Sequence, residues 1–216
     1  MEVKIIGLTQ YIDENREIGE PEELIERAAR VCYRSDTRPG KRDAFLRARI
    51  RDGHTSILEH ASVTFEISGI SRACSHQIVR HRIASYSQES QRYVDMSDPE
   101  FSVPPSIAEN DKAMQIWNKH MTSISDVYEK LRKLGVKKED ARFVLPNASQ
   151  TKIVCTMNYR SLLNFFSLRL SPHAQWEIRR VAWRMLNLIA PLSPVVFGDA
   201  LYHYVELYPD LLDMDV

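Results

Sequence analysis

A polar, cationic segment in the middle of the chain, SHQIVRHRIASYSQESQRY (75–93), has residue types that could bind an anionic ligand. Arginine presents a rigid fork of N–H donors that suits phosphate and carbonyl oxygens. The segment is compatible with a solvated surface, a grip on a nucleic-acid backbone, or a pocket for a small phosphate. Its cationic or titratable side chains are His76, Arg80, His81, Arg82 and Arg92, and its single acid is Glu89.

The residues that follow Arg82 favour the small ligand. A plain loop would more often use Gly, Asp and Asn, whereas here hydroxyl and amide groups stand beside two flat aromatic rings. Donors, acceptors and aromatic rings together are typical of a site for a heterocycle that carries a phosphate. These residues are Ser85, Tyr86, Ser87, Gln88, Ser90, Gln91 and Tyr93.

A second group of polar residues interrupts an otherwise apolar helical pattern, NYRSLLNFFSLRL (158–170). Arg160 and Asn164 are four residues apart and share a helix face, whereas Arg169 is nine residues from Arg160, about 180° round the helix. A helix between two subunits that contributes to two sites would explain this pattern. The alternative is that both arginines are ordinary surface residues.

Other catalytic signals are weak. His54, Glu59 and His60 do not have a zinc-binding spacing, so His54 either orients a ligand or is structural. No GxSxG motif occurs, and no serine or cysteine has a local pattern that marks it as activated. Nucleophilic catalysis therefore finds little support in the residues themselves.

Composition limits the class of protein. Lys plus Arg and Asp plus Glu are both 29 in 216 residues, which disfavours a nucleic-acid-binding protein. No secretion signal and no run of roughly 18 apolar residues is recognisable, so we expect a cytoplasmic protein that does not interact with membranes. Three scattered cysteines without metal-ligand spacing are expected to be reduced and mostly buried.

Periodicity predicts mixed strands and helices. Strands are expected at 3–8, 61–68 and about 151–157, and 83–105 is expected to be extended or looped. Helices are expected from Pro21, at about 41–52, from Ile70 to the Arg80–Arg82 cluster, at about 106–134 and 138–144, from Asn158 to about 170, and from Ser171 to Leu188. Without a regular βαβ rhythm, this indicates an α+β fold with an antiparallel or mixed sheet packed by several helices, as one domain spanning 1–216.

The motif Arg80-His81-Arg82-x-x-Ser85-x-Ser87-x-x-Ser90-x-Arg92 resembles the signature RHRxxSxNxxSxR of the flavin-dependent thymidylate synthases. The match departs only at Ser87, where Asn is usual and some members carry Ser. Flanking stretches are also similar to the family: GHTSILEHASVTFEISGISRA before the motif, and ARFVLPNAS and NYRSLLNFFSLRLSPHAQWEIR after it. The resemblance covers nearly the whole chain and implies a thymidylate synthase-complementing-protein-like fold.

The resemblance implies a role for each matching position. Positions that match flavin contacts are Ser56, Arg80, His81, Arg82, Gln88, Asn158, Arg160 and Asn164, with Tyr159 contributing backbone, and His54 matches a histidine near flavin and folate. Positions that match nucleotide contacts are Gln77, Ile78, Val79, Arg80, Gln88, Glu89, Ser90, Gln91, Arg92, Arg142 and Arg169. Ser90 and Arg92 are the expected phosphate ligands, and Arg169 is the expected catalytic residue, beside the uracil ring.

The implied activity is methylation of dUMP to dTMP, without a covalent bond between enzyme and substrate. Methylenetetrahydrofolate would be the carbon donor, FAD the redox cofactor and NADPH the reductant, in a homotetramer whose sites are shared between subunits. FAD would be held without a glycine-rich dinucleotide loop, and GxGxxG is indeed missing from the sequence. A folate-dependent thymidylate synthase with a cysteine nucleophile is the rival enzyme, but its Pro-Cys context is not found at Cys32, Cys74 or Cys155. The alternative is a non-catalytic nucleotide- or nucleic-acid-binding module.

Overall fold

The computed structural model describes residues 1–214, with the side chain of Tyr33 excepted. The strands are β1 (Glu2–Leu8), β2 (Tyr11–Ile12), β3 (Ile18–Gly19), β4 (Ser62–Ser71), β5 (Ser85–Gln88) and β6 (Gln150–Asn158). In this part of the chain, four of them form one open antiparallel sheet in the order β1-β4-β6-β5, and β2 pairs with β3. Together with the helices described next, this confirms the predicted α+β class.

The helices precede, separate and follow the strands in the sequence. Most of them begin and end close to the predicted positions. They are α1 (Pro21–Tyr33), α2 (Arg42–Arg51), α3 (Arg72–Ile78), α4 (Pro105–Ala108), α5 (Asp111–Lys133), α6 (Lys138–Ala141), α7 (Tyr159–Arg169), α8 (Trp176–Ile189) and α9 (Asp199–Leu207). Gly53 and Gly135 follow α2 and α5 with φ of +81° and +86°. Glycine adopts this left-handed backbone without steric penalty, so both glycines end helices as predicted.

Alternation along the two inner strands reflects one buried face. In β4 the side chains of Val63, Phe65 and Ile67 are fully buried, as the period-two pattern predicts. In β6 the buried residues include Ile153 and Cys155. Neither side of the β1 pattern is fully buried, which fits its position at the edge of the sheet.

The bounds of two predicted helices were wrong, and one helix was not predicted. Residues 106–134 do not form one helix: Asn110 is extended and its side chain accepts a 3.1 Å hydrogen bond from the Ala113 amide, so a new helix starts there. Asparagine favours such caps over helix interiors. The helix expected from Ser171 begins only at Trp176, because Gln175 accepts from the next helical amides while Ser171 accepts from His173 in a local turn. Helix α9 was not predicted.

The chain forms two compact units that alternate along the sequence. The first unit contains residues 1–2, 68–79 and 87–153, and the second contains 3–67, 80–86 and the residues from Val154 onward. A single domain over 1–216 therefore stays a prediction.

The first unit has its own small apolar core. Tyr128 of α5 is fully buried against Met96 and Ala141, and its hydroxyl accepts a 3.3 Å hydrogen bond from the Met96 amide. This core fixes α5 and α6 around the loop that follows residue 92, because a buried tyrosine hydroxyl requires a partner.

The second unit is built around α7 and α8, which pack against each other. Phe165 and Phe166 of α7 are fully buried, and Tyr159 at its start shares a 2.7 Å hydrogen bond with the Ser193 hydroxyl. The aromatic rings of Phe166 and Phe197 meet edge to face. The packing makes α7 a rigid element whose polar residues can be held at fixed positions.

In residues 1–214, no helix combines the length and the apolar character that crossing a bilayer requires. Cys74 and Cys155 are buried and Cys32 is exposed, all as free thiols, which confirms that the cysteines are mostly buried.

Candidate functional site

A cavity of about 690 Å³ lies in the second unit, where the loop after α3 faces α7 and the end of β6. Its volume is within the range of small-molecule and cofactor sites. Both groups of polar residues that the sequence singled out contribute to it. The lining residues are Glu59, Arg80, His81, Arg82, Ile83, Asn158, Arg160, Ser161, Asn164, Leu168 and Arg169.

The charge of the cavity is strongly positive. The lining contains four arginines, whereas Glu59 is its single acid among the described residues. Glu59 forms an ion pair with Arg160, and both side chains are about half exposed, at 47% and 54%. Exposed ion pairs contribute little to stability, about 0–1 kcal/mol. Replacement of Glu59 by an anionic ligand of Arg160 would therefore cost little free energy.

Residues 80–82 are not helical, contrary to the prediction that they extend α3. The helix ends at Ile78, and Arg80, His81 and Arg82 lie in the loop that leads to β5. Tyr86 of β5 holds this loop, because its hydroxyl donates a 2.7 Å hydrogen bond to the His81 carbonyl. Burial raises the pKa of Tyr86 above its ordinary value, so the hydroxyl remains a donor at neutral pH.

His81 and Arg169 contact each other directly. The Arg169 Nε–H donates to His81 Nε2 at 2.9 Å, and the imidazole ring packs edge to face on Phe165 with centroids 4.8 Å apart. Burial, together with the positive charge of Arg169, lowers the pKa of His81 to about 4. The imidazole is therefore neutral at physiological pH.

Helix α7 presents polar residues to the cavity from both ends. Arg160 and Arg169 are half a turn apart on the helical wheel, and both side chains line the same cavity of a single chain. A contribution of α7 to a second site in a neighbouring subunit stays a prediction. Asn158 caps the helix through a 2.8 Å hydrogen bond from the Ser161 amide, which confirms the predicted cap.

Four residues expected at the flavin site do not line the cavity: His54, Ser56, Gln88 and Tyr159. His54 and Ser56 are exposed. His54 immediately precedes the 3-10 turn Thr55–His60, and Ser56 is its second residue. Gln88 ends β5 and belongs to the first unit. Tyr159 is fully buried, and its amide donates to the Ala61 carbonyl at 2.9 Å.

Four lining residues were not predicted. Ser161 and Leu168 lie three and four residues from Asn164, so helical spacing could have revealed them. Glu59 was considered only as a metal ligand, and Ile83 carried no signal beyond its position next to Arg82.

A second polar cluster lies in the first unit, at the start of the segment expected to bind the nucleotide. The Gln88 amide donates to the Ser75 and Thr151 hydroxyls at 2.8 and 3.3 Å. The Glu89 carbonyl accepts from the Arg72 guanidinium at 3.2 Å. These contacts fix the backbone of the segment where β5 ends.

The same segment continues in a tight turn with exposed cations. The Ser90 carbonyl accepts from the Tyr93 amide at 3.0 Å, and the Ser90 hydroxyl accepts from the Arg92 amide at 3.3 Å. Arg92 donates to the Glu139 carboxylate at 3.2 Å, and Arg142 donates to the Glu139 carbonyl at 3.1 Å. Gln91 is buried, whereas Arg92 is exposed.

Arg72 is a cation that the sequence reasoning missed. Burial and the positive charge of Arg142 lower the pKa of its guanidinium. Two arginines that repel each other while partly buried form a region of positive potential that an anion would relieve. An arginine in the otherwise uncharged stretch ISGISRACS was the available signal.

The remaining predicted nucleotide positions end α3. Ile78 is fully buried, Gln77 is partly buried and Val79 is exposed. Ile78 has no exposed surface in this chain, so a ligand contact there stays a prediction.

The chain matches a known protein family over most of its length. A sequence model described as "Thymidylate synthase complementing protein" matches residues 14–195, and the chain belongs to this family. This confirms the resemblance of the motif and its flanks.

Three similar proteins carry the same name. A Geobacter sulfurreducens protein is 49% identical over 191 residues, which cover 84% of this chain and 82% of that protein. A Pyrococcus abyssi protein is 50% identical over 151 residues, which cover 67% of this chain and 62% of that protein. A Nitratidesulfovibrio vulgaris protein is 42% identical over 202 residues, with coverages of 84% and 82%. Each of the three is named flavin-dependent thymidylate synthase.

Proposed function

We propose that the chain is a flavin-dependent thymidylate synthase, a methyltransferase that converts dUMP to dTMP. Methylenetetrahydrofolate would be the carbon donor, FAD the redox cofactor and NADPH the reductant. The observation that carries the proposal is the cationic cavity formed by Arg80, His81, Arg82 and α7. The names of the relatives support the same activity.

The chemistry of the cavity fits FAD. Arg80, Arg82 and Arg160 provide charge for a pyrophosphate, and Ile83 and Leu168 add apolar surface for flat rings. His81, Asn158 and Asn164 complete the set of residues proposed to hold the cofactor. When bound, FAD supplies the two electrons by which a methylene group must be reduced to become methyl, and these electrons come from NADPH.

Two groups of residues are proposed to bind the nucleotide, and the family resemblance supports both. Ser90 and Arg92 would bind the phosphate, and the exposed Arg92–Glu139 pair is weak enough to be replaced by a dianion. Arg169 would stand beside the uracil ring, where a fixed positive charge stabilises a deprotonated N3 and makes C5 more nucleophilic. The proposed homotetramer shares its active sites between subunits.

No covalent enzyme nucleophile is proposed. Burial raises the pKa of the Cys155 thiol to about 12, so its reactive thiolate is suppressed at neutral pH. Ser90 Oγ accepts a hydrogen bond from the Arg92 amide, a contact that does not activate a hydroxyl for attack. The residues would act by binding, orientation and charge.

The homotetramer is proposed from the family resemblance alone. Leu134, Phe143 and Tyr202 are 82%, 83% and 78% exposed, but single exposed apolar residues are common on protein surfaces and do not indicate a partner.

The decisive test is a flavin oxidation assay. The purified protein, reconstituted with FAD, is reduced by NADPH and mixed with methylenetetrahydrofolate with and without dUMP. We expect dTMP to form only when all components are present. Absence of flavin absorbance, together with failure to reconstitute FAD, would refute the proposal, and tight salt-dependent binding of single-stranded RNA or DNA instead would favour the binding module.

A matched pair of variants tests the location of the flavin site. Arg160→Ala should weaken FAD binding, because it removes one cavity cation. Arg47→Ala removes an equally exposed arginine that pairs with Asp199 and does not line the cavity, so it should leave FAD affinity unchanged. Equal FAD affinities for the two variants would place the flavin elsewhere.

A further inference from the structure

His81 accepts, rather than donates, the hydrogen bond that joins it to Arg169. The Arg169 Nε–H has one proton and no lone pair to offer, and its partner is His81 Nε2 at 2.9 Å. His81 Nε2 must therefore be unprotonated. In a neutral imidazole the single proton then lies on Nδ1, so the contact defines the tautomer of His81.

The surroundings of His81 keep this tautomer neutral. The ring faces Arg169 and packs on Phe165 of α7. Its other charged neighbours along the cavity are Arg80, Arg82 and Arg160, with Glu59 as the opposing acid. Protonation of His81 would remove the atom that accepts from Arg169 and would add a fifth positive charge to the lining. The arginines of the cavity therefore favour the neutral form of His81.

Tyr86 of β5 and Phe165 of α7 hold His81 in position for this contact. Tyr86 donates to the His81 carbonyl at 2.7 Å, and Phe165 restricts rotation of the ring from the side. His81 and Arg169 are 88 residues apart in the chain. The hydrogen bond between His81 and Arg169 therefore connects the loop after α3 with the last turn of α7 inside the second unit.

We propose that His81 is a positioning residue for Arg169: its neutral Nδ1–H tautomer accepts the Arg169 Nε–H and sets the orientation of the guanidinium group at the cavity. The role is additional to any contact of His81 with a bound flavin. Its consequence for catalysis rests on the proposed function, whereas the tautomer and the pairing are properties of the protein alone.

The pairing is tested by nitrogen NMR on the full chain labelled with 15N-histidine. The sequence has seven histidines, and the His81 signals are assigned by their loss in His81→Gln. We expect Nδ1–H and unprotonated Nε2 at neutral pH, with titration well below that of an ordinary histidine. Arg169→Met should raise the titration midpoint towards 6.5. A wild-type His81 that carries its proton on Nε2, or that titrates near 6.5, would overturn the proposal.

The positioning role is tested by a conservative rescue. Glutamine places an oxygen near the position of Nε2 and can accept from Arg169, whereas alanine cannot. With saturating FAD, His81→Ala should lower kcat/KM for dUMP by about 10- to 100-fold, the effect of losing a hydrogen bond to a charged group. His81→Gln should recover most of this loss, and its activity should no longer fall at acid pH where wild-type His81 becomes protonated.

The outcomes separate the two proposals. Equal losses in His81→Ala and His81→Gln, or an unchanged acid limb in His81→Gln, would contradict the positioning role even if dTMP is formed. If the wild-type protein forms no dTMP, the proposed function fails, and the NMR experiment still decides whether His81 and Arg169 are paired as described.

Discussion

Glu22 provides a sharp test of how the second unit is held together. Its side chain is fully buried, and Oε1 accepts hydrogen bonds from the Val195 and Val196 amides at 2.9 and 3.0 Å. Those amides open the π-helical turn Pro194–Gly198. The other carboxylate oxygen has no hydrogen bond, and the nearest cation is Arg42 at 4.0 Å. The carboxylate thus joins α1 to a turn more than 170 residues away.

The two possible substitutions should differ strongly. Glu22→Ala leaves two buried amides without an acceptor, at about 1–3 kcal/mol each, while it also removes a poorly solvated carboxylate. We expect a net loss of about 2–4 kcal/mol in the free energy of unfolding. Glu22→Gln keeps an oxygen for both amides and removes only the charge, so its loss should be about 1 kcal/mol or less.

The pH dependence of the glutamine variant has a defined sign. Burial raises the pKa of Glu22 above its ordinary 4.5, although the Val196 amide and Arg42 oppose this effect. A carboxyl whose pKa is higher in the folded state stabilises the fold fully below pH 4.5, and this contribution disappears as the pH rises through the folded-state value. The stability of Glu22→Gln relative to the wild type should therefore improve as the pH rises.

Urea denaturation followed by tryptophan fluorescence measures these differences. Glu206→Ala removes an exposed glutamate of α9 and is expected to change stability by no more than about 0.5 kcal/mol. If Glu22→Ala and Glu22→Gln lowered the free energy of unfolding equally, the proposal that Oε1 stabilises the fold as an acceptor would be wrong. A loss below about 1 kcal/mol for alanine would have the same meaning.

Three further predictions concern the candidate site. Arg169→Ala should retain flavin and lose most dUMP methylation in the oxidation assay, and full activity would exclude its electrostatic role. Ser90→Ala should raise KM for dUMP with some turnover left, whereas complete loss at saturating dUMP would revive a serine nucleophile. Tyr86→Phe should lower the free energy of unfolding by about 1 kcal/mol, because it removes the hydrogen bond to the His81 carbonyl; the exposed Tyr93→Phe is the control, and equal stabilities would contradict the assignment.

The residues of the candidate site were accessible from the sequence to different degrees. The RHR segment and the polar residues of α7 were recognised, and the structure brings most of them to one cavity. His54 and Ser56 were expected at the same site but do not line it, because their adjacent turn is directed by the packing of Ile57 and Leu58 into the core. Ligand roles for all of them remain predictions.

The sequence by itself determined the elements whose causes are local. Alternation predicted β4 and β6, glycines ended α2 and α5, and Asn158 capped α7, because each depends on backbone geometry and on neighbours within a few residues. The motif from Arg80 to Arg92 indicated the family for the same reason: its chemistry is concentrated in one stretch.

The tertiary structure alone decided which side chains meet. His81 and Arg169 are 88 residues apart and Glu59 and Arg160 are 101 apart, so no periodicity or cap relates them. Their contacts depend on the packing of α7, in which Phe165 and Phe166 are buried. Phe165 and Arg169 both contact His81 in the loop after α3, and Arg160 contacts Glu59. Burial and the charge of Arg169 then set the protonation of His81, a property that exists only after the two residues have been packed together.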